Sequence, residues 1–210
     1  MNYPNQLKES KMTGKMKGIP ALNTNTLSNP FCGKMRKKGK LQKDDIICFI
    51  CYSASMLKTS RQNCVPSWER NSKILSAPIP IENLPIINAH SFRFHGHGEL
   101  INYTHLENFM NIVNKNPDTH FALWTKRIGY VRKWLRLNER SRNVIFIYSN
   151  PSTRKVLNEP PEGFDKVFNS VYDDIVKTGQ TPCTGIKCVN CLACYRHNEH
   201  KVIIEKVKKR

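Results

Sequence analysis

The sequence predicts an α/β fold: a small partial (β/α) barrel or an open, mainly parallel sheet, with cysteine-rich segments at both ends. Three observations predict it. The runs His120–Thr125 and Asn143–Tyr148 are short, apolar and unbroken, as in strands covered on both faces. Segments with apolar residues at helical spacing separate such runs, and strands alternating with helices give a parallel sheet. The eight cysteines avoid this middle region and gather towards the two ends of the 210-residue chain.

The elements follow in order. Residues 1–30 are polar, show no periodicity and read as a basic, loosely ordered arm. Residues 31–210 read as a single domain with an N-terminal cysteine segment (31–64) and a C-terminal one (183–200). The first segment sets four cysteines among lysines and reads as irregular. Val65 to Ser76 suits a short helix, with Pro66 in its first turn and Trp68, Ile74 and Leu75 on its apolar side. Ala77 to Pro85 is a proline-broken linker. Ile86 to Phe94 reads as a strand leading into Gly96 and Gly98. Thr104 and Glu107 form a capping box. Leu106, Phe109, Met110 and Val113 follow at helical spacing, and Asn116-Pro117-Asp118 ends that helix. After the His120–Thr125 strand, Ile128, Val131 and Leu135 mark a helix face, with Arg132, Lys133, Arg136 and Arg140 turned away. Asn143–Tyr148 is the next strand; Lys166–Val171 and Lys201–Lys206 are weaker ones.

The formal charge is +18, and it is concentrated. Residues 1–43, 124–142 and 195–210 carry the excess, and the rest is nearly neutral. Such basic arms and a basic helix (126–140) attract polyanions, nucleic acid above all; a host factor is the other candidate partner. A solvated, solubilising face is the plain alternative. No apolar run approaches the roughly 18–20 residues of a membrane helix, and no membrane partner is expected. The start has no secretory character, so a cytoplasmic location is expected. There cysteines serve as metal ligands more often than as disulfides. The oligomeric state is not legible.

Cys183, Cys188, Cys191 and Cys194 form C-x4-C-x2-C-x2-C. Such short turns let thiolates close on the irons of a 4Fe–4S cluster while backbone N–H groups point at the sulfides. Zinc, which usually takes two separated knuckles, is the alternative. In the other group, Cys48-x2-Cys51 is a chelating pair. Cys32 would complete three ligands and leave one iron open to a small molecule. Cys64 is either a fourth ligand or a buried thiol, and a zinc site from Cys32, Cys48, Cys51 and Cys64 is the alternative. One or two clusters fit this pattern, since the fold can also join the groups in one site.

Function in α/β folds gathers at the carboxyl ends of the strands. Arg93-Phe-His-Gly-His-Gly-Glu-Leu100, Trp124-Thr-Lys-Arg127 and Tyr148-Ser-Asn150 all lie at such ends. His95, His97, Glu99 and Lys126 are therefore candidate catalytic groups. Arg93, Gly96, Gly98, Glu99 and Ser149 are candidate cofactor contacts, the glycines permitting close backbone approach. A structural turn with hydrogen-bonding histidines is the plain reading of His95 and His97. Lys126 and Arg127 suit an anion. His90, His105 and His120 read as structural or exposed, and His197 or His200 would at most replace a thiolate.

Several of these pieces together resemble the phage "gene product 88" family of phages and mobile elements. They are Ser10-Lys11-Met12, Cys48-x2-Cys51-Tyr52, the Arg93–Leu100 run, Trp124-Thr-Lys-Arg127 and Cys188-Val-Asn-Cys191-Leu-Ala-Cys194-Tyr195. In place of the Arg93–Leu100 run, family members carry a similar Arg-Trp-His-Asp-Ser-Gly-Asp-Leu. The family pattern looks like a reduced relative of radical S-adenosylmethionine (SAM) proteins. The likeness implies that Cys32, Cys48 and Cys51 hold the SAM cluster. Gly98-Glu99 would lie near the methionine amine, and the closing four cysteines would hold an auxiliary cluster. It implies an iron–sulfur protein, radical-SAM-like, modifying a nucleic acid or a protein, in the host cytoplasm if phage-encoded. The alternative from another class is a non-catalytic, zinc- or cluster-stapled basic module that binds nucleic acid or a host factor.

Overall fold

A computed structural model describes residues 7–42, 45–176, 183 and 185–207. They form an open seven-stranded sheet whose spatial order follows the chain. The strands are β1 (Glu9–Ser10), β2 (Ala21–Leu22), β3 (Ser91–Phe94), β4 (His120–Thr125), β5 (Val144–Asn150), β6 (Lys166–Val171) and β7 (Val202–Lys206). β1 is antiparallel to β2, and every later pair is parallel. Of the two expected forms this is the open, mainly parallel sheet, with β1 and β7 at opposite edges.

Three helices lie between β2 and β3: α1 (Pro30–Leu41), α2 (Tyr52–Lys58) and α3 (Val65–Leu75). α4 (Tyr103–Lys115) and α5 (Ile128–Leu137) make the next two crossovers, and the short α6 (Cys188–Cys191) precedes β7.

Strand alternation divides the core between the two faces of the sheet. Phe92, Phe94, Phe121, Leu123, Val144 and Phe146 meet Leu75 of α3, Leu106, Phe109 and Val113 of α4, and Val131 and Trp134 of α5. Phe94 stacks between Phe109 and Phe121, with ring centroids 4.0 and 5.1 Å away. Each such fully buried ring stabilises the fold by about 2–3 kcal/mol. Ala122, Trp124, Ile145 and Ile147 point the other way. Among the described residues no long helix covers them. Ile19 and Tyr195 do, with Leu192, Cys188 and Cys194 alongside. The closing cysteine segment is thus the lid of the second face.

The expectations for the ends of the chain need correction. Of the supposed arm, residues 1–6 lie outside the described residues, but β1 and β2 are part of the sheet, and Ile19, Ala21 and Leu22 are buried. A two-residue strand is too short to show periodicity. Residues 31–64 are largely helical rather than irregular. Asn29 accepts from the N–H groups of Phe31 and Cys32 (2.9 and 3.2 Å), and Pro30 opens α1. This cap was readable, but the polar face of α1 masked its period. The capping box at Thr104 is also not used: Asn102 caps α4, accepting from His105 N–H at 2.9 Å. The strand expected from Ile86 pairs only from Ser91.

Candidate functional site

The carboxyl ends of β3, β4 and β5 converge as the strand-end rule predicts. β3 leads into a sharp turn in which His95 and Gly98 both have positive φ, 63° and 112°. Gly98 is required there, because a Cβ would lie 2.1 Å from Thr24 Oγ1 and 3.0 Å from the Thr24 carbonyl. The turn carries Glu99 under the β4–α5 loop. There its carboxylate accepts from Leu100 N–H (2.8 Å), the Thr125 hydroxyl (2.5 Å) and Lys126 N–H (2.8 Å). Thr125 Oγ1 in turn accepts from Arg127 N–H at 3.0 Å. Glu99 is 4 % exposed, so it ties β3 to the loop after β4. The Lys126 ammonium, so aimed, donates to Ser149 Oγ at the end of β5 (2.8 Å).

The first cysteine group is assembled over this point. Cys32 lies in the first turn of α1, where the helix dipole favours a thiolate. Asn29, which caps that helix, also donates to the Glu99 carbonyl (2.9 Å). Cys48 lies in a turn held to the end of β5 by an Ile46–Ser152 bridge and by Ile47 N–H donating to Pro151 O (2.8 Å). Cys51 is the N-cap residue of α2. All three thiols are half-buried. Burial raises the Cys32 pKa, and Glu99, Cys51 and Cys48 raise it further against the pull of Lys126. Burial lowers the pKa of the Lys126 ammonium, but Cys48, Glu99, Cys51 and Cys32 together raise it above the ordinary lysine value. One cation thus faces three thiols and a carboxylate. Cys64, the N-cap residue of α3, is also half-buried.

The second group is separate. Cys183 N–H donates to Ile204 O of β7 (2.6 Å), and Cys188 to Cys194 wrap a tight turn closed by Leu192 at φ 51°. Burial pushes the Cys194 thiol up to about 12; Arg93 opposes this, while Cys188, Cys183 and Cys191 add to it. Arg93 leaves the middle of β3 on the second face of the sheet. Its guanidinium lies 3.6 Å from the Trp124 ring centroid, with Nε donating to His95 O and NH1 3.3 Å from Met16 Sδ. Lys15 is held by an ion pair to Glu205 and faces Cys183 and Cys188. Each cysteine group therefore has its own cationic neighbours.

The histidines behave as structural groups. His95 packs edge-on against His105 and Phe109, with Nδ1 3.4 Å from Trp124 O. His97 stacks on Trp68 at 4.6 Å, and its Nδ1 is 3.0 Å from Ser53 Oγ. Burial holds both imidazoles down to about 3, aided by neighbouring cations. They are neutral at pH 7. His95 faces α4, and His97 lies between Trp68 and Tyr52, the residue after Cys51. His197 and His200 pair with Asp165 and Glu199 at the surface. Asn23, Asn29, Ser53 and Thr125, which brace the turn and the loop, carried no motif; only the Asn29–Pro30 cap was a readable signal.

Among the described residues, no three His, Cys, Asp or Glu side chains converge closely enough to hold a single metal ion. A tetrahedral ion with bonds of about 2.3 Å draws its sulfurs to within about 3.8 Å of one another. A cubane takes one thiolate per corner iron and so spreads them wider. Cys32, Cys48 and Cys51 are half-buried near Lys126, whereas in the closing group Cys188 and Cys194 are half-buried and Cys183 and Cys191 are exposed. Likewise, no helix among the described residues is long and apolar enough to cross a membrane.

A search of curated proteins and a search of solved structures each find no match. The family model for gene product 88, however, matches residues 8–203. That span runs from the residues leading into β1 to the middle of β7 and includes both cysteine groups and the braced turn between them. The chain belongs to the phage gene product 88 family.

Proposed function

We propose that this chain is an iron–sulfur protein with two cluster sites, one closed by four cysteines and one held by three. The carrying observation is the meeting of α1, the Cys48 turn and the α2 N-terminus over Lys126, at the carboxyl ends of three parallel strands. When bound there, a 4Fe–4S cluster supplies one-electron chemistry at an iron with a coordination position free for a small molecule. By family likeness that molecule is SAM, which makes the reading a radical-SAM-like enzyme.

The chain's own residues have defined tasks in this reading. Cys32, Cys48 and Cys51 are the ligands. Lys126 offsets the negative charge that three thiolates bring into a half-buried site. Ser149 fixes the lysine, and Glu99 fixes the loop that carries it. Glu99 already accepts three hydrogen bonds, so its role is in the frame of the site rather than in gripping a ligand amine. At the closing site Cys183, Cys188, Cys191 and Cys194 are the ligands, and Arg93 and Lys15 supply the compensating charge.

The test is iron, sulfide and zinc analysis after anaerobic purification of wild type, Cys51→Ala and Cys191→Ala. The proposal expects each variant to lose about half of the iron and sulfide. Stoichiometric zinc without iron overturns it. A non-catalytic basic module is the second reading, favoured by the exposed cations of α5. SAM cleavage under reducing conditions separates the two, because only the enzyme consumes SAM.

A further inference from the structure

Five side chains form a ladder on the surface beside the three-cysteine site. Phe31 immediately precedes Cys32, and Arg127 immediately follows Lys126. The Arg127 guanidinium lies 4.6 Å from the Phe31 ring centroid and 4.0 Å from that of Tyr130. Tyr130 meets Tyr103 edge-on at 6.2 Å, and Lys133 Nζ lies 4.2 Å from the Tyr103 ring. Rings and cations therefore interleave, in the order ring, cation, ring, ring, cation, from the site outward along α5 and the start of α4. The three rings are half-buried, with part of each surface open to solvent.

The charges on this ladder are available. On α5 and just beyond it, Arg132 and Arg140 have carboxylate partners, Glu162 and Asp165. Among the described residues no carboxylate pairs with Arg127, Lys133 or Arg136. An acidic protein surface would be met by cations alone. Interleaved rings and cations match a different polymer, one that carries both phosphates and flat bases. A duplex hides its base faces, whereas a single strand offers them for stacking on rings and on a guanidinium plane.

We propose that single-stranded nucleic acid binds along the ladder Phe31–Arg127–Tyr130–Tyr103–Lys133 and is led by it to the three-cysteine site. Only the second half, delivery to a reactive centre, rests on the iron–sulfur reading above; binding itself needs no cluster. The ladder thus gives a substrate class, a nucleic-acid strand, to a site whose chemistry alone does not name one.

Fluorescence anisotropy with labelled oligothymidylate and oligouridylate tests it, with a duplex of equal phosphate number, heparin and polyglutamate as competitors. The single strands are expected to bind more tightly than the duplex. Tyr130→Leu and Tyr103→Leu, which keep every charge, are expected to weaken single-strand binding about tenfold each. Heparin affinity and the salt slope should stay unchanged in both. Tyr130→Phe, which keeps the ring, should bind as wild type, so a folding defect is distinguishable from a lost stack. Arg127→Ala should lower both the affinity and the salt slope.

Equal binding of single strand, duplex and heparin, unmoved by the tyrosine variants, overturns the proposal. Preference for polyglutamate overturns it in favour of an acidic protein partner. The same measurement on Cys51→Ala, with its iron content determined in parallel, keeps the two readings apart. Retained oligonucleotide binding with about half of the iron lost is expected. Full iron with no oligonucleotide binding in wild type rejects the ladder and leaves the cluster reading standing.

Discussion

Replacing Glu99 by glutamine removes one charge and reverses one hydrogen-bonding edge of a carboxylate that is 4 % exposed. One oxygen accepts from Leu100 N–H and the Thr125 hydroxyl, and the other from Lys126 N–H. An NH2 group on the first side would face Leu100 N–H donor to donor and leave the Thr125 hydroxyl proton without its acceptor. The least unfavourable glutamine therefore turns its carbonyl to Leu100 and Thr125 and its NH2 group towards Lys126 N–H. A donor then faces a donor in a buried site. The loss of one charge-assisted bond and the stranding of that N–H cost about 2–4 kcal/mol together. For a chain of this size each kcal/mol moves the melting temperature by about 2–4 °C, so Glu99→Gln should melt about 5–15 °C below wild type. Thermal unfolding followed by far-UV circular dichroism measures this. Thr125→Val, which removes one donor to the carboxylate and the acceptor of Arg127 N–H but keeps the charge, should fall between wild type and Glu99→Gln. A Glu99→Gln protein that melts within about 2 °C of wild type refutes the framing role.

Three further outcomes follow from the same geometry. Gly98→Ala sets a methyl group against Thr24 at a φ of 112°. It should cost about 3 kcal/mol or more, visible as loss of soluble protein. Adding Thr24→Ala should not rescue it, because the backbone contact at 3.0 Å remains. His95 and His97 have folded-state pKa values lowered to about 3 against an unfolded 6.5. The unfolded chain then binds more protons as pH falls below about 6.5, so the histidine-linked stability is complete above that value and is lost from there towards pH 3. Urea midpoints at pH 7.5 and pH 5 should show the drop; a flat profile would mean that the folded protein protonates these rings. Arg93→Met removes the guanidinium facing Cys188 and Cys194. Iron analysis should find cluster lost from the closing group while the Cys51-dependent share persists. Equal loss from both would make Arg93 a general packing residue.

The middle of the fold was legible because its signals are local. β4 and β6 start and end at the residues that the apolar runs mark, and α3 and α5 follow their apolar spacing. The ends were not, because their stability is borrowed. β2 is two residues long and exists through its parallel pairing with Arg93 and Phe94, a partner some seventy residues away that no local pattern reveals. The same holds within the site. The strand-end rule brought Glu99, Lys126 and Ser149 to one place, but which of them is framework and which is open depends on hydrogen bonds across three strands. His95 and His97 alternate as a ligand pair would. Yet the positive φ at His95 turns its ring under α4, a reversal that residue identity alone does not encode.

The lid over the second face has a consequence for the order in which the molecule comes together. Strands added one after another let each pair form as soon as the next crossover is made, so contacts stay short-range and the sheet can grow with synthesis. The lid breaks that pattern. Met16 and Ile19, from the connection between β1 and β2, meet Cys188 and Tyr195, which lie shortly before β7, and Lys15 pairs with Glu205. This closure joins opposite edges of the sheet through side chains alone, and it waits for nearly the whole chain. Until then Trp124, Ile145 and Ile147 have no cover, and the sheet is a trough open to solvent. The closing cysteine segment arrives just ahead of β7, so the second face is covered among the last steps of assembly.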